Sequence, residues 1–318
     1  MIKLGVIGTA KQVQYVTETA EKTGKYLISG TYIPSATSWE DAFFDAEYEN
    51  FLKGSDSLFF CDGIEWYPAL VEKAIYNFKH IFSDGLQSES SIRLKEWEGL
   101  VYEAGVVFHA GNQFSVSPPF LSVWQYLKKC NWIEITIKLP FKDRAHFRSV
   151  LSQALELSIK SVRGTIDKFN KNESYLFGLD FPEHFSLWMD SNGGTNCKIN
   201  IEYSRYDREV KAVFGTNERL FEVDFEGQSV WELQKSEENI HAAGLFNNEN
   251  ELELQQLLPE IKKVQKQVIY FDTLHKELLN FWDNITNHLS PLTGINELVE
   301  VSILCEKVFP ESDKFQTC

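Results

Sequence analysis

No two cysteines stand at Cys-x-x-Cys spacing: the five in the chain, Cys61, Cys130, Cys197, Cys305 and Cys318, are scattered. That pattern speaks against a cysteine-built zinc site and suits reduced thiols in a cytoplasmic protein. His184, His241, His275 and His288 share no ligand spacing either, so no metal is expected. Positive charge is also scarce, with Lys+Arg 31 against Asp+Glu 46 and a net charge of -15. Such a surface repels phosphate backbones and anionic headgroups, so neither nucleic acid nor membrane is an expected partner. No apolar run approaches membrane-spanning length. The opening stretch, broken at Gly5 and Gly8, is too short for the core of a secretion signal. The sequons at Asn172 and Asn284 are accordingly expected to be chance matches. Internal repeats and low-complexity segments are absent.

What the chain does have is core-forming material: hydrophobic residues are 43% and aromatic residues 14% of its 318 positions. At roughly 100–200 residues per domain this predicts two domains that fold by burial. Ile2 to Ile7 is a short apolar run ending at Gly8, followed by Val13, Val16, Thr17 and Ala20 at helical spacing up to Gly24. Further strands are predicted at Tyr26–Tyr32, Ser57–Cys61, His80–Phe82 and 106–110. Between them, helices carry Leu70, Val71, Ala74, Ile75 and Phe78, and then Leu94, Trp97, Val101 and Ala104, the latter stopping at Gly105. Strands alternating with helices predict a doubly wound parallel sheet.

After Pro118-Pro119 and a short helix the pattern changes. Trp132–Leu139 alternates apolar and polar, and strand-like runs follow at Phe185–Met189, Cys197–Tyr203, Val210–Phe214 and Leu220–Phe225, separated by turn clusters. This predicts a mostly antiparallel, open sheet. Two helical stripes close the chain, Phe271-Leu274-Leu278-Phe281-Ile285 and Leu298-Val301-Cys305-Val308. The expected organisation is an α/β domain over 1–120 and an α+β domain over 121–318.

Three strings carry a resemblance to a known family: Lys3-Leu-Gly-Val-Ile-Gly8; Ser57 to Leu70 with Phe78-Lys-His-Ile-Phe82; and Ala104 to Pro118. With the order of elements, they resemble the Gfo/Idh/MocA family, the glucose-fructose oxidoreductase and inositol dehydrogenase group. The resemblance spans nearly the whole chain. It implies a Rossmann-type NAD(P)-binding domain, an oxidoreductase of sugars or polyols, and a homo-oligomer built through the open sheet of the second domain.

The same resemblance implies a site whose polar groups have changed. The family's GxGxxG reads Gly8-Thr9-Ala10-Lys11-Gln12-Val13, with only the first glycine present. The acidic ribose anchor after the second strand falls on Ile33. The family's Glu-Lys-Pro reads Ser83-Asp84-Gly85, so an anion replaces the cation beside the nicotinamide. Its Pro-Asn-x-x-His segment reads Gly63 to Tyr67, and its Arg-Phe pair before Pro118 reads Ser115-Val116. The catalytic Asp-x-x-x-His pair aligns with Glu156 and Lys160, and the proton-accepting imidazole is gone.

On this reading Gly8, Thr9, Ala10, Ile33, Asp62, Gly63 and Ser83 face the cofactor. Asn112, Gln113 and Tyr67 face the substrate, and Lys160, Glu156 and Asp84 are the candidate catalytic groups. Binding of NAD or NADP is expected to be weak or lost. Glu156 and Lys160 have a plainer reading as an exposed i,i+4 pair worth roughly 0.3–0.5 kcal/mol. His109, between Phe108 and Ala110, is expected to be a hydrogen-bonded core residue. Trp66, Tyr67 and Trp188 could stack on a sugar, although most of the eight Trp must serve the core. Two functions remain open: an oxidoreductase with an altered or degraded site, and a catalytically inactive pseudo-dehydrogenase acting as ligand sensor or structural partner.

Overall fold

A computed structural model describes residues 1–34, 45–61, 67–84, 89–128, 130–175, 179–217, 219–235, 261–268 and 272–310. In chain order its helices are α1 (Ala10–Thr23), α2 (Ala46–Gly54), α3 (Tyr67–Tyr76), α4 (Ser91–Ala104), α5 (Pro118–Leu127), α6 (Arg144–Ser161), α7 (Thr273–Thr286) and α8 (Ile295–Val308). The chain divides into two compact units. One comprises Met1–Val116, Lys142–Leu157 and Phe271–Cys318, the other Ser117–Phe141 and Ser158–Tyr270.

In the first unit the short apolar runs form five parallel strands, β1 (Ile2–Ile7), β2 (Tyr26–Tyr32), β3 (Ser57–Phe60), β4 (His80–Ser83) and β5 (Phe108–Ala110), in the order β2-β1-β3-β4-β5. Side chains alternate across the sheet as the strand period dictates. Leu58 and Phe60 join one core with Tyr48 and Leu52 of α2, Leu94 and Trp97 of α4, and Leu298 of α8. Phe59 and Cys61 join the other with Val13 and Val16 of α1 and Leu278 and Phe281 of α7. Both α1 and α4 stop where the sequence has a glycine, Gly24 (φ 66°) and Gly105 (φ 64°), because a Cβ is strained in the left-handed conformation.

The two C-terminal helices therefore belong to the first unit, one on each face of its sheet, and a single boundary near 120 does not describe the molecule. Their stripes are amphipathic as expected. Periodicity tells that a helix buries one face, not which sheet it is buried against.

The second unit holds β6 (Trp132–Leu139), β7 (Ile166–Ser174), β8 (His184–Ser191), β9 (Asn196–Tyr203), β10 (Glu209–Gly215), β11 (Leu220–Asp224), β12 (Ser229–Lys235) and β13 (Ile261–Gln265). They form one sheet in the order β13-β12-β11-β10-β6-β9-β8-β7, antiparallel except for the parallel pair β6/β9. Ile133, Ile135 and Ile137, with Cys197, Ile199 and Ile201, are buried on one face, as the alternation predicts. Helix α5 packs there, with Phe120 against Phe214 and Tyr126 against Phe221. The sequence pattern passes over β7 because Ile166–Ser174 is polar and largely exposed, the composition of an edge strand.

Candidate functional site

In open parallel sheets ligands bind at the carboxyl ends of the strands. In the first unit that edge is formed by Gly8 after β1, Ile33 after β2, Cys61 after β3, Asp84 after β4 and Gly111 after β5.

Gly8 is buried, and a Cβ there would lie 2.7 Å from Cys61 Sγ and 2.8 Å from Cys61 Cβ. The glycine is thus required by the adjacent strand end, whatever approaches from outside. Thr9 and Ala10 are exposed at the start of α1. The Thr9 N–H donates to Gln12 Oε1 at 3.0 Å, and the Thr9 hydroxyl to the same oxygen at 2.7 Å. The helix thereby caps itself, with a side chain holding a backbone donor that a phosphate would otherwise take. The Thr-x-x-Gln spacing is a local signal from which this could have been read.

At the end of β2, Ile33 is 56% exposed and brings no polar group. Among the described residues the next carboxylate along the chain is Asp45, which accepts from the Tyr32 hydroxyl and caps α2 through the Glu47 N–H at 2.7 Å and the Tyr48 N–H at 3.1 Å. Burial alone would raise the Asp45 carboxyl, but the bonds from Tyr32, Tyr48 and Glu47 outweigh it and hold the group below the usual carboxylate range.

Two carboxylates approach the ends of β4 and β5, Asp84 following β4 and Glu277 reaching in from α7. Ser83 is buried, and its carbonyl accepts from the Gly111 N–H at 2.8 Å. Asp84 is half-buried. A Cβ on Gly111 would stand 3.2 Å from Asp84 Oδ1 and 3.5 Å from Glu277 Oε1, so both carboxylates lean on this one residue. On α1 the Tyr15 phenol is pushed up, first by burial and then by the charges of Asp272 and Asp84.

Behind this edge lies a buried polar knot. Asn112 is 1% exposed, Glu156 1% and Glu277 4%. Asn112 donates through Nδ2 to Glu156 Oε2 and through its backbone N–H to Glu277 Oε1 at 3.2 Å. Its Oδ1 accepts from the N–H groups of Phe114 at 2.9 Å and Ser115 at 3.3 Å. Glu156 Oε1 accepts from the hydroxyls of Thr293 at 2.6 Å and Ser115 at 3.3 Å. The exposed-pair reading of Glu156 with Lys160 is therefore corrected: the carboxylate is interior, on the core side of α6, and four donors of its surroundings meet at it and at Asn112. Lys160 is half-buried and falls in the second unit.

Of the expected contacts, Asn112 is committed to this knot and Gln113 is exposed. Asp62, Gly63 and Trp66 lie outside the described residues, and Tyr67 starts α3. Trp188 stands 51% exposed on β8 of the second unit, with the Lys198 ammonium 4.8 Å from its ring centre. His109 is a core residue as expected, at 3.3 Å from Asn284 Oδ1 and beside the rings of Phe82 and Phe281, which also contact each other. Sequence reading missed Glu277, Thr293 and Gln12. A glutamate inside the buried stripe Leu274-Leu278-Phe281 was the available clue for the first.

A groove of about 430 Å³ in the second unit, lined by Lys138, Arg208, Glu209, Lys211 and Glu226 among others, is not a better candidate. Its charges neutralise one another, Lys138–Glu209 at 3.2 Å, Lys211–Glu209 at 2.8 Å and Arg208–Glu226 at 3.3 Å.

No family model and no curated protein matches this sequence. Solved structures do. The UDP-N-acetylglucosamine 3-dehydrogenase GnnA from Acidithiobacillus ferrooxidans is similar with a TM-score of 0.77 at 15% identity, covering 96% of both chains. A dehydrogenase (MviM) from Clostridium difficile is similar with a TM-score of 0.76 at 12% identity, covering 96% of this chain and 98% of that one. Biliverdin reductase from Synechocystis sp. PCC 6803, solved with biliverdin and NADP+, reaches 0.69 at 12% identity over the same shares. The chain has the two-domain fold of Gfo/Idh/MocA-type dehydrogenases: a Rossmann-like parallel sheet and a second, mostly antiparallel one.

Proposed function

We propose that this protein is an oxidoreductase-type member of that fold, directed at a sugar or polyol, with an altered active site that binds NAD or NADP weakly. The observation that carries the reading is the half-buried Asp84 carboxylate beside Gly111 at the strand edge, with the buried Glu277 adding negative charge behind it. Carboxylates accept hydrogen bonds from the hydroxyls of an uncharged polyol, and they repel a pyrophosphate. Ile33 offers the ribose nothing, and Gln12 already holds the Thr9 N–H, so the described residues of this edge fit a dinucleotide poorly. The sugar class is supported by the sugar-nucleotide substrate in the name of one fold neighbour.

Each lost ribose or phosphate contact removes about 1 kcal/mol or more, so dissociation constants for NADH and NADPH are expected on the order of 100 µM or weaker. Quenching of Trp fluorescence on titration measures them. Low-micromolar binding of either would overturn the reading and restore an ordinary dehydrogenase.

A second reading, the catalytically inactive sensor or structural partner, is favoured by Glu156. A carboxylate enclosed by Asn112, Ser115 and Thr293 is poorly placed to exchange a proton with a substrate. Binding of a polyol without any turnover of NAD(P)H across a sugar panel would select it.

For the second unit we propose self-association through the open face of its sheet. One row across that face runs Trp188, Lys198, Glu134, Val213, Glu222 and Trp231. Lys198 and Glu134 pair at 3.3 Å, giving the mix of aromatic and polar groups of a wet homo-oligomer interface. Sedimentation is expected to show an oligomer, and a concentration-independent monomer would remove the proposal.

A further inference from the structure

We infer that Gln12 acts as a built-in competitor at the β1–α1 turn, taking the backbone donor a phosphate would need and so lowering the affinity of the first unit for phosphate-bearing ligands. The inference rests on the reading above that the strand edge of this unit is the ligand site, and it adds a specificity-determining residue.

Three features of the turn carry it. The Thr9 N–H and hydroxyl converge on one oxygen, Gln12 Oε1, at 3.0 and 2.7 Å. The turn is packed against Cys61, whose Sγ and Cβ leave no room for a Cβ on Gly8. Among the described residues of the flank, Ile33 is apolar and exposed, and Asp45 is engaged by Tyr32, Glu47 and Tyr48. A phosphate would have to displace the Gln12 amide from Thr9. An uncharged ligand bound along the ends of β4 and β5 would not.

The test compares parent, Gln12→Ala and Gln12→Glu with three probes: NADPH, ADP-ribose and adenosine. Removing the amide frees the Thr9 donors, so Gln12→Ala is expected to bind NADPH and ADP-ribose about threefold to tenfold more tightly than the parent, the worth of one hydrogen bond. Gln12→Glu keeps the helix cap and adds a negative charge, so it should bind both at least about threefold more weakly. Adenosine, which has no phosphate, should not separate the three proteins. Circular dichroism establishes that each variant is folded. Where Gln12→Ala is not, Gln12→Glu decides alone. Equal affinity of parent and folded Gln12→Ala overturns the inference, as does Gln12→Glu binding NADPH as well as the parent, or a gain for adenosine matching that for ADP-ribose. Low-micromolar binding by the parent instead overturns the weak-cofactor reading, while the ratio of variant to parent still judges Gln12.

Discussion

Asn112→Ala is expected to lower the unfolding free energy by about 3–5 kcal/mol, among the largest effects open to a single polar substitution. The side chain meets three buried partners at once. Removing it takes a donor from the interior Glu156 carboxylate and leaves the N–H groups of Phe114 and Ser115 without their acceptor. A buried donor or acceptor left unmade costs about 1–3 kcal/mol, and more where the group is charged. Glu156→Gln should cost far less, about 1 kcal/mol. Gln can keep an oxygen toward Asn112 Nδ2 and turn its amide N–H toward the hydroxyls of Ser115 and Thr293, which accept as readily as they donate. Urea unfolding of the two variants against the parent measures both. A cost below about 1 kcal/mol for Asn112→Ala would show that the knot does not hold the segment after β5.

Asp84→Lys is expected to tighten NADPH binding tenfold or more. The substitution changes the charge at the end of β4 by two units. At an effective dielectric between that of water and a protein surface, one unit at 4 Å is worth about 1–4 kcal/mol before salt screening. Asp84→Asn, which removes the charge without reversing it, should give a smaller gain, and both gains should shrink as ionic strength rises. Unchanged NADPH affinity in Asp84→Lys, with folding intact, would mean that a dinucleotide does not approach this edge and would remove the electrostatic part of the functional proposal.

The two experiments probe different layers of one arrangement. Asp84 borders Gly111 at the edge, while Glu277, Glu156 and Asn112 lie behind it and shape the turn that presents it. Changing the inner layer should appear mainly in stability, and changing the outer one mainly in binding.

Much of the fold was legible in the sequence because its signals are local. The alternation in Trp132–Leu139 and Cys197–Tyr203 comes from the strand period, and the helix ends at Gly24 and Gly105 come from the steric cost of a Cβ at positive φ. The identity of the strand-end residues was equally legible: Gly8, Ile33 and Asp84 follow their strands and Ser83 ends β4. The partners of these residues were not. That Gly8 is demanded by Cys61, that Glu277 reaches the backbone of Asn112 from 165 residues away, and that Thr293 reaches Glu156 from 137 residues away are facts of packing.

The alternation of strands and helices, the polarity of each face and the aspartate after β4 can be read from the amino-acid sequence, because each depends on residues within a few positions of one another. That α7 and α8 cover the first sheet and that Glu156 is interior emerges only in the folded chain. Hydrophobic burial is non-directional and rewards any apolar partner of suitable shape, so an amphipathic stripe specifies that a face is covered but not by what. A buried carboxylate is tolerated only where enough donors converge on it, and here those donors are brought together by chain segments that the sequence leaves far apart.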